Sequence, residues 1–153
     1  MRKFLAIVAL AVISFGTANA QNPIPAGTKF LNVGLGFSNH GVPIGVGMDF
    51  GIGHDFSLGF DVTHRFNVED YHANWGAAFN ANYHFNRILN IPSSFDFYAG
   101  ANIGAKFGHD DSGLDLGLQV GGRYFFTNKF GINLQFGGGN NFSGGKVGVT
   151  FKL

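Results

Sequence analysis

The chain has 153 residues, with 25 glycines, 19 phenylalanines, 12% charged side chains and a mean hydropathy of +0.12. That length holds one domain, and the glycine–phenylalanine mixture suits a sheet with one bulky apolar face better than a soluble core or a bundle of membrane helices. Ten basic against nine acidic residues, with no basic run, leave nucleic-acid binding without electrostatic support, and the lack of cysteine excludes disulfides, thiol chemistry and a lipid-modified N-terminal cysteine.

The first element is a targeting segment. Arg2 and Lys3 precede an apolar run over 4–15, and small residues follow, ending in Ala18-Asn19-Ala20. About a dozen apolar residues fall short of the roughly 20 that a spanning helix needs, and Ala18-x-Ala20 fits a signal-peptidase site. Residues 1–20 are therefore expected to be a cleaved signal peptide, and residues 21–153 the single mature domain.

After Gln21 the dominant pattern is alternation with a period of two, the signature of strands. Leu31, Val33, Leu35 and Phe37 alternate with Asn32, Gly34 and Gly36; the run over 42–52 sets Ile44, Val46, Met48 and Phe50 against Gly45, Gly47, Asp49 and Gly51. Over 56–65, Phe56, Leu58, Phe60 and Val62 oppose Ser57, Gly59, Asp61, Thr63 and Arg65. The same rhythm recurs over 75–85, 95–107, 114–124, 130–136 and 147–153. Turn-rich connections separate these runs at 38–41, 53–55, 67–74, 87–94, 108–113, 126–129 and 138–145. The expectation is an all-β fold: an eight-stranded antiparallel up-and-down transmembrane β-barrel.

A soluble barrel with an apolar ligand inside is the competing architecture. An eight-stranded interior is only just wide enough for side chains and could not hold this many Phe, Leu, Ile and Val residues. Moreover, Asp49, Asp61, Arg65, Asp96, Lys106, Asp115, Arg123 and Lys146 all fall in the small, polar phase. They are expected to line the lumen as a paired charge network that plugs it and fixes register. Only His64 breaks the phase rule. Aromatic girdles are expected at both interfaces: Phe37, Phe66, Trp75, Phe107 and Phe136 at one, and Phe30, Phe56, Phe85, Phe95, Tyr124 and Phe130 at the other. With both termini in the periplasm, the segments 38–41, 67–74, 108–113 and 138–145 would face outward, and 53–55, 87–94 and 126–129 inward.

The stretch Gly121-Gly122-Arg123-Tyr124-Phe125-Phe126-Thr127-Asn128 followed by Phe130-Gly131-Ile132 resembles the "G-x-R-Y-F-F-T" strand and turn of the small outer-membrane β-barrel family that includes OmpA-type barrel domains, OmpX and opacity-like proteins. The closing alternation Val147-x-Val149-x-Phe151-x-Leu153 is similar to that family's C-terminal insertion signal, although it ends in Leu153 where an aromatic is usual. The resemblance implies residence in the cell outer membrane, contact with outer-membrane lipid and lipopolysaccharide, and handling by periplasmic chaperones and the insertion machinery. Unlike full-length OmpA, no periplasmic domain is expected after the last strand, and the resemblance names no surface ligand.

Candidate chemistry is thin. The Gly-x-Gly pairs do not complete a phosphate-binding loop leading into a helix. His40, His72 and His109 fall in connections beside Glu69, Asp70, Asp110 and Asp111 but lack metal-ligand spacing, and Ser38, Ser112 and Ser143 are loop serines with His40 and His109 near two of them, pairs that loop composition alone yields often. No cofactor, metal or catalytic residue is expected. The function read from the sequence is a non-enzymatic integral outer-membrane barrel with a structural or surface-interaction role. A narrow porin-like channel and, more remotely, a lipid-modifying enzyme are the alternatives.

Overall fold

The computed structural model describes residues 24–37, 42–66, 73–108, 112–137 and 144–153, residues 73 and 74 by backbone only. Eight strands run in chain order among them: β1 Lys29–Phe37, β2 Val42–Gly53, β3 Phe56–Phe66, β4 Ala73–His84, β5 Phe95–Gly108, β6 Gly113–Phe125, β7 Phe130–Gly137 and β8 Gly145–Lys152. Each pairs antiparallel with the next, and β8 returns to β1, with Leu31 opposite Phe151 and Val33 opposite Val149. The sheet therefore closes, and the expected up-and-down barrel is the observed fold. Closure leaves neither the first nor the last strand as a free edge, which is what allows a sheet to stand in hydrocarbon.

Period-two alternation sends successive side chains to opposite faces. On β3, Ser57, Asp61, Thr63 and Arg65 are buried while Phe56, Leu58, Phe60 and Val62 are exposed. The other strands repeat this arrangement, so the usual partition is inverted. The buried apolar side chains among the described residues are Ile24, Phe30, Pro43, Ala78 and Tyr98; the rest of the buried set is glycine, polar or charged. Water would penalise an outer face of this kind, whereas hydrocarbon favours it. A soluble barrel with an apolar ligand cavity would need the opposite arrangement, and the polar lumen rules it out.

Two features at one end lie outside the strand pattern. The connection between β4 and β5 contains a one-turn helix, α1 (Asn86–Leu89), closed by Asn90 in the left-handed region at φ 53°. The Asn86 amide anchors it: its nitrogen donates to the Phe95 carbonyl at 2.5 Å and its oxygen accepts from the Phe97 N–H at 3.0 Å. In the turn between β2 and β3, Asp55 (φ 68°) holds the fork of Arg87 through Nε at 2.8 Å and Nη2 at 2.5 Å. Hydrogen bonding to that carboxylate, and its charge, push the exposed Arg87 guanidinium above its ordinary pKa. The segment before β1 then folds across β2, where Gly27 N–H donates to Gly51 O and Gly51 N–H to Thr28 O, both at 2.9 Å. This seats Ile24 fully buried at the barrel's end.

Candidate functional site

The inward phases of all the strands meet in the lumen, and one continuous chain of polar contacts crosses it. It begins on β3, where Ser57 Oγ lies 2.8 Å from His84 Nε2 of β4. His84 Nδ1 lies 2.6 Å from Asp96 Oδ1 of β5, and Arg123 Nη1 of β6 donates to Asp96 Oδ2 at 2.6 Å. The other arm of Arg123 donates to Asp49 on β2, which also accepts from Asn32 Nδ2 of β1 at 2.7 Å. Asn32 Oδ1 accepts from Thr150 Oγ1 of β8, and Thr150 accepts from Asn133 Nδ2 of β7, each at 2.8 Å. Every strand of the barrel thus contributes one member.

Arg123 is the hub. Its guanidinium lies 4.7 Å from the centroid of the Tyr98 ring and 5.2 Å from that of Phe30, so aromatic faces supplement its two carboxylates. Nearer the other end, a second layer joins Lys146 Nζ to Asp61 Oδ1 at 3.0 Å and Asn80 Nδ2 to Asp61 Oδ2 at 2.5 Å. Gln119 bridges Asn102, Asn82 and Gln135 at 3.0, 2.6 and 3.0 Å, and Tyr98 OH donates to Gln135 Oε1 at 3.0 Å. Last comes Lys106 with Asp115 at 3.1 Å, both partly open to solvent, while Arg65 is buried on β3. The structure therefore brings Asp49, Asp96 and Arg123 into one cluster, and pairs Asp61 with Lys146 and Lys106 with Asp115.

The inward glycines make room for this packing. A side chain at Gly47 would collide with Asp61, one at Gly59 with Asp49, one at Gly100 with Asn82 and one at Gly121 with Tyr98. What remains open is small. One lumen cavity between Asp49, Tyr98 and Lys146 and another beside Asp61 and Asp115 measure about 10 Å³ each, space for one water apiece.

Phe30 was expected among the lipid-facing girdle aromatics but points into the lumen. It is fully buried, stacked on Phe125 at 5.4 Å and placed under Arg123. Its even number puts it in phase with Asn32, and a ring there covers the guanidinium at the barrel's closed end. The remaining aromatics of that group, Phe56, Phe85, Phe95, Tyr124 and Phe130, lie on the outer face. There they form ring-contact chains, Phe56–Tyr83–Phe85 and Phe95–Tyr124–Phe126–Phe130–Phe151. Phe37, Phe66, Trp75, Phe107 and Phe136 project outward toward the opposite end. His64, also in the outward phase, lies between Phe66 and Trp75, 4.4 Å from each ring.

Sequence reasoning searched the loops for a nucleophile and missed the Ser57–His84–Asp96 arrangement in the wall. The three groups are ordered as a hydrolase triad is. Each is at most 1% exposed, and Asp96 is shared with Arg123, so the Ser57 hydroxyl has no approach for a substrate. Their common inward phase near one strand end was the signal available in the sequence. His40, His72, His109, Ser38 and Ser143 lie outside the described residues. Among the described residues, no group of three His, Asp or Glu side chains is placed to hold a metal ion.

By structure, the chain is similar to a de novo designed transmembrane β-barrel, with a TM-score of 0.63 at 14% identity over 84% of this chain and 97% of that one. It is similar to the N-terminal β-barrel domain of Pseudomonas aeruginosa OprF, with a TM-score of 0.61 at 16% identity over 84% and 98%. The fold is that of the small outer-membrane β-barrels. Yersinia pestis outer membrane protein Ail, determined in a phospholipid bilayer nanodisc, shares this barrel fold at a TM-score of 0.50 and 17% identity over 83% and 99%. No family model and no curated protein matches the chain by sequence. At such identities it is the transmembrane barrel that is held in common.

Proposed function

We propose that the chain is an integral outer-membrane barrel, exported by the signal peptide 1–20 and cleaved after Ala18-x-Ala20, whose lumen is a structural plug and whose work is done in the membrane and at its outer connections. The observation that carries this reading is the hydrogen-bonded chain from Ser57 to Asn133, which takes a member from each strand across the lumen. Buried charges persist where they are paired and hydrogen-bonded, and here the pairing ties strands distant in sequence into one register. The exposed aromatic chains supply interface girdles. Val147, Val149, Phe151 and Leu153 supply an outward-facing terminal signal for the insertion machinery and its chaperones. Outer-membrane lipid and lipopolysaccharide are then the standing partners, and the role is structural or one of surface interaction.

Planar-bilayer conductance of refolded residues 21–153 at high salt tests the plug. Insertion without unitary steps, with heat-modifiable gel migration marking the folded barrel, is the expected result. Reproducible steps altered by Asp49→Asn or Arg123→Gln would establish a channel and overturn the plug.

A further inference from the structure

Connections that run through water are usually polar, yet the one between β4 and β5 presents Ile88 and Leu89 with 64% and 61% of their surface exposed. The turn itself fixes which way they face. Phe85, next in the outward phase after Tyr83, already has right-handed helical backbone angles, and the Leu89 N–H donates to its carbonyl at 2.9 Å. The turn therefore runs from 85 to 89, and residues three and four apart lie on one side of it. Phe85, Ile88 and Leu89 share that side. Asn86 and Arg87 fall about 100° and 200° away. There the Asn86 amide holds the backbone of Phe95 and Phe97, and the Arg87 fork holds Asp55. The polar groups of the turn are thus engaged on its other sides, and its apolar side carries no charge.

That side is continuous with the lipid-facing wall. Phe85 stands on the outer face with its ring 5.1 Å from Tyr83, which packs against Phe56 at 5.0 Å. Ile88 and Leu89 extend this aromatic chain past the end of the strands. A second connection of the same rim repeats the arrangement: Phe126, exposed after β6, packs on Tyr124 at 5.0 Å.

We propose that Phe85, Ile88 and Leu89 form an interfacial foot, which seats in the head-group boundary of the membrane leaflet at this end and fixes the depth of the barrel. The inference rests on the transmembrane reading given above. A protein partner is the other use of an exposed apolar pair; continuity with a wall that hydrocarbon covers favours lipid.

The chain has one tryptophan, Trp75, which faces outward near the opposite end of β4. The test refolds residues 21–153 into phosphatidylcholine nanodiscs, open to water on both faces, with acyl chains plain or brominated just below the head group. Trp75 of the parent chain is expected to be quenched by the bromines, which marks the barrel as spanning. In a Trp75→Phe background, Leu89→Trp is expected to lose about half its emission to the same bromines, because an interfacial apolar face sits ~5–10 Å inside the boundary. Aqueous acrylamide is expected to quench it several-fold less than His54→Trp, exposed in the turn between β2 and β3. Heat-modifiable migration verifies that each variant folds. Acrylamide quenching of Leu89→Trp equal to that of His54→Trp, or insensitivity to both quenchers, overturns the foot alone, by placing the pair in water or against protein. A parent Trp75 that the bromines leave unquenched overturns the membrane reading and the foot together.

Discussion

Arg123 is held by two carboxylates, and its loss would strand both of them in a dry interior. Removing one partner from a buried ion cluster costs about 3–5 kcal/mol, because the uncompensated charges remain. Arg123→Met is therefore expected to lower the unfolding free energy of the refolded barrel by that amount, read in urea as a lower midpoint at an unchanged denaturant slope. Ser57→Ala is expected to cost about 1 kcal/mol, since His84 keeps its contact with Asp96. Equal effects of the two substitutions would remove Arg123 from its central place. At this scale the sequence was partly legible. Phase alone put Asp49, Asp96 and Arg123 on the inward face, but phase does not choose partners: Asp49 and Arg123 are 74 positions apart and meet only because the sheet closes. Phe30 shows the opposite error, where an aromatic near a strand end was grouped by residue type although its number placed it with Asn32.

Strands were the most legible elements, because a period of two sustained over eight or more residues admits few other structures. The helix α1 was not legible. One turn is shorter than any helical repeat, and Asn86–Leu89 has no side-chain cap at its start; a tertiary contact, the Asn86 amide against β5, holds it in place. The segment before β1 was equally hidden, since its seat depends on Gly51. A side chain there would come 2.9 Å from the Ile24 carbonyl oxygen and still nearer that of Pro25. Gly51→Val is expected to displace residues 24–28 at a cost of about 1–3 kcal/mol, typical of overpacking, while the barrel persists. Trypsin cleavage at Lys29 is the readout: faster cutting in the variant, with heat-modifiable migration retained, supports the docked segment. Cleavage at the parent rate would show that Gly51 does not govern that seat.

For the molecule as a whole, the two ends differ in a way that bears on its direction in the membrane. The connections 53–55, 86–94 and 126–129, the segment that leads into β1 and the end of β8 share one rim with Lys29, Lys129, Lys152 and Arg87. In sequence, the connections from β3 to β4 and from β5 to β6 carry Glu69, Asp70, Asp110 and Asp111. Loop length, the usual guide, does not discriminate here, because 87–94 is as long as the connections facing the other way. Chain order does: an even number of strands brings the start of β1 and the end of β8 to one side, and under the proposed export by residues 1–20 that side is the periplasm. The native chain has no cysteine, so an introduced one is the only thiol present. Asn140→Cys, between β7 and β8, is expected to react on intact cells with a maleimide that cannot cross the membrane. His54→Cys, exposed in the turn between β2 and β3, is expected to react only after the outer membrane is opened. The reverse pattern would invert the barrel, and would set the lysine rim against the outer leaflet rather than the inner one.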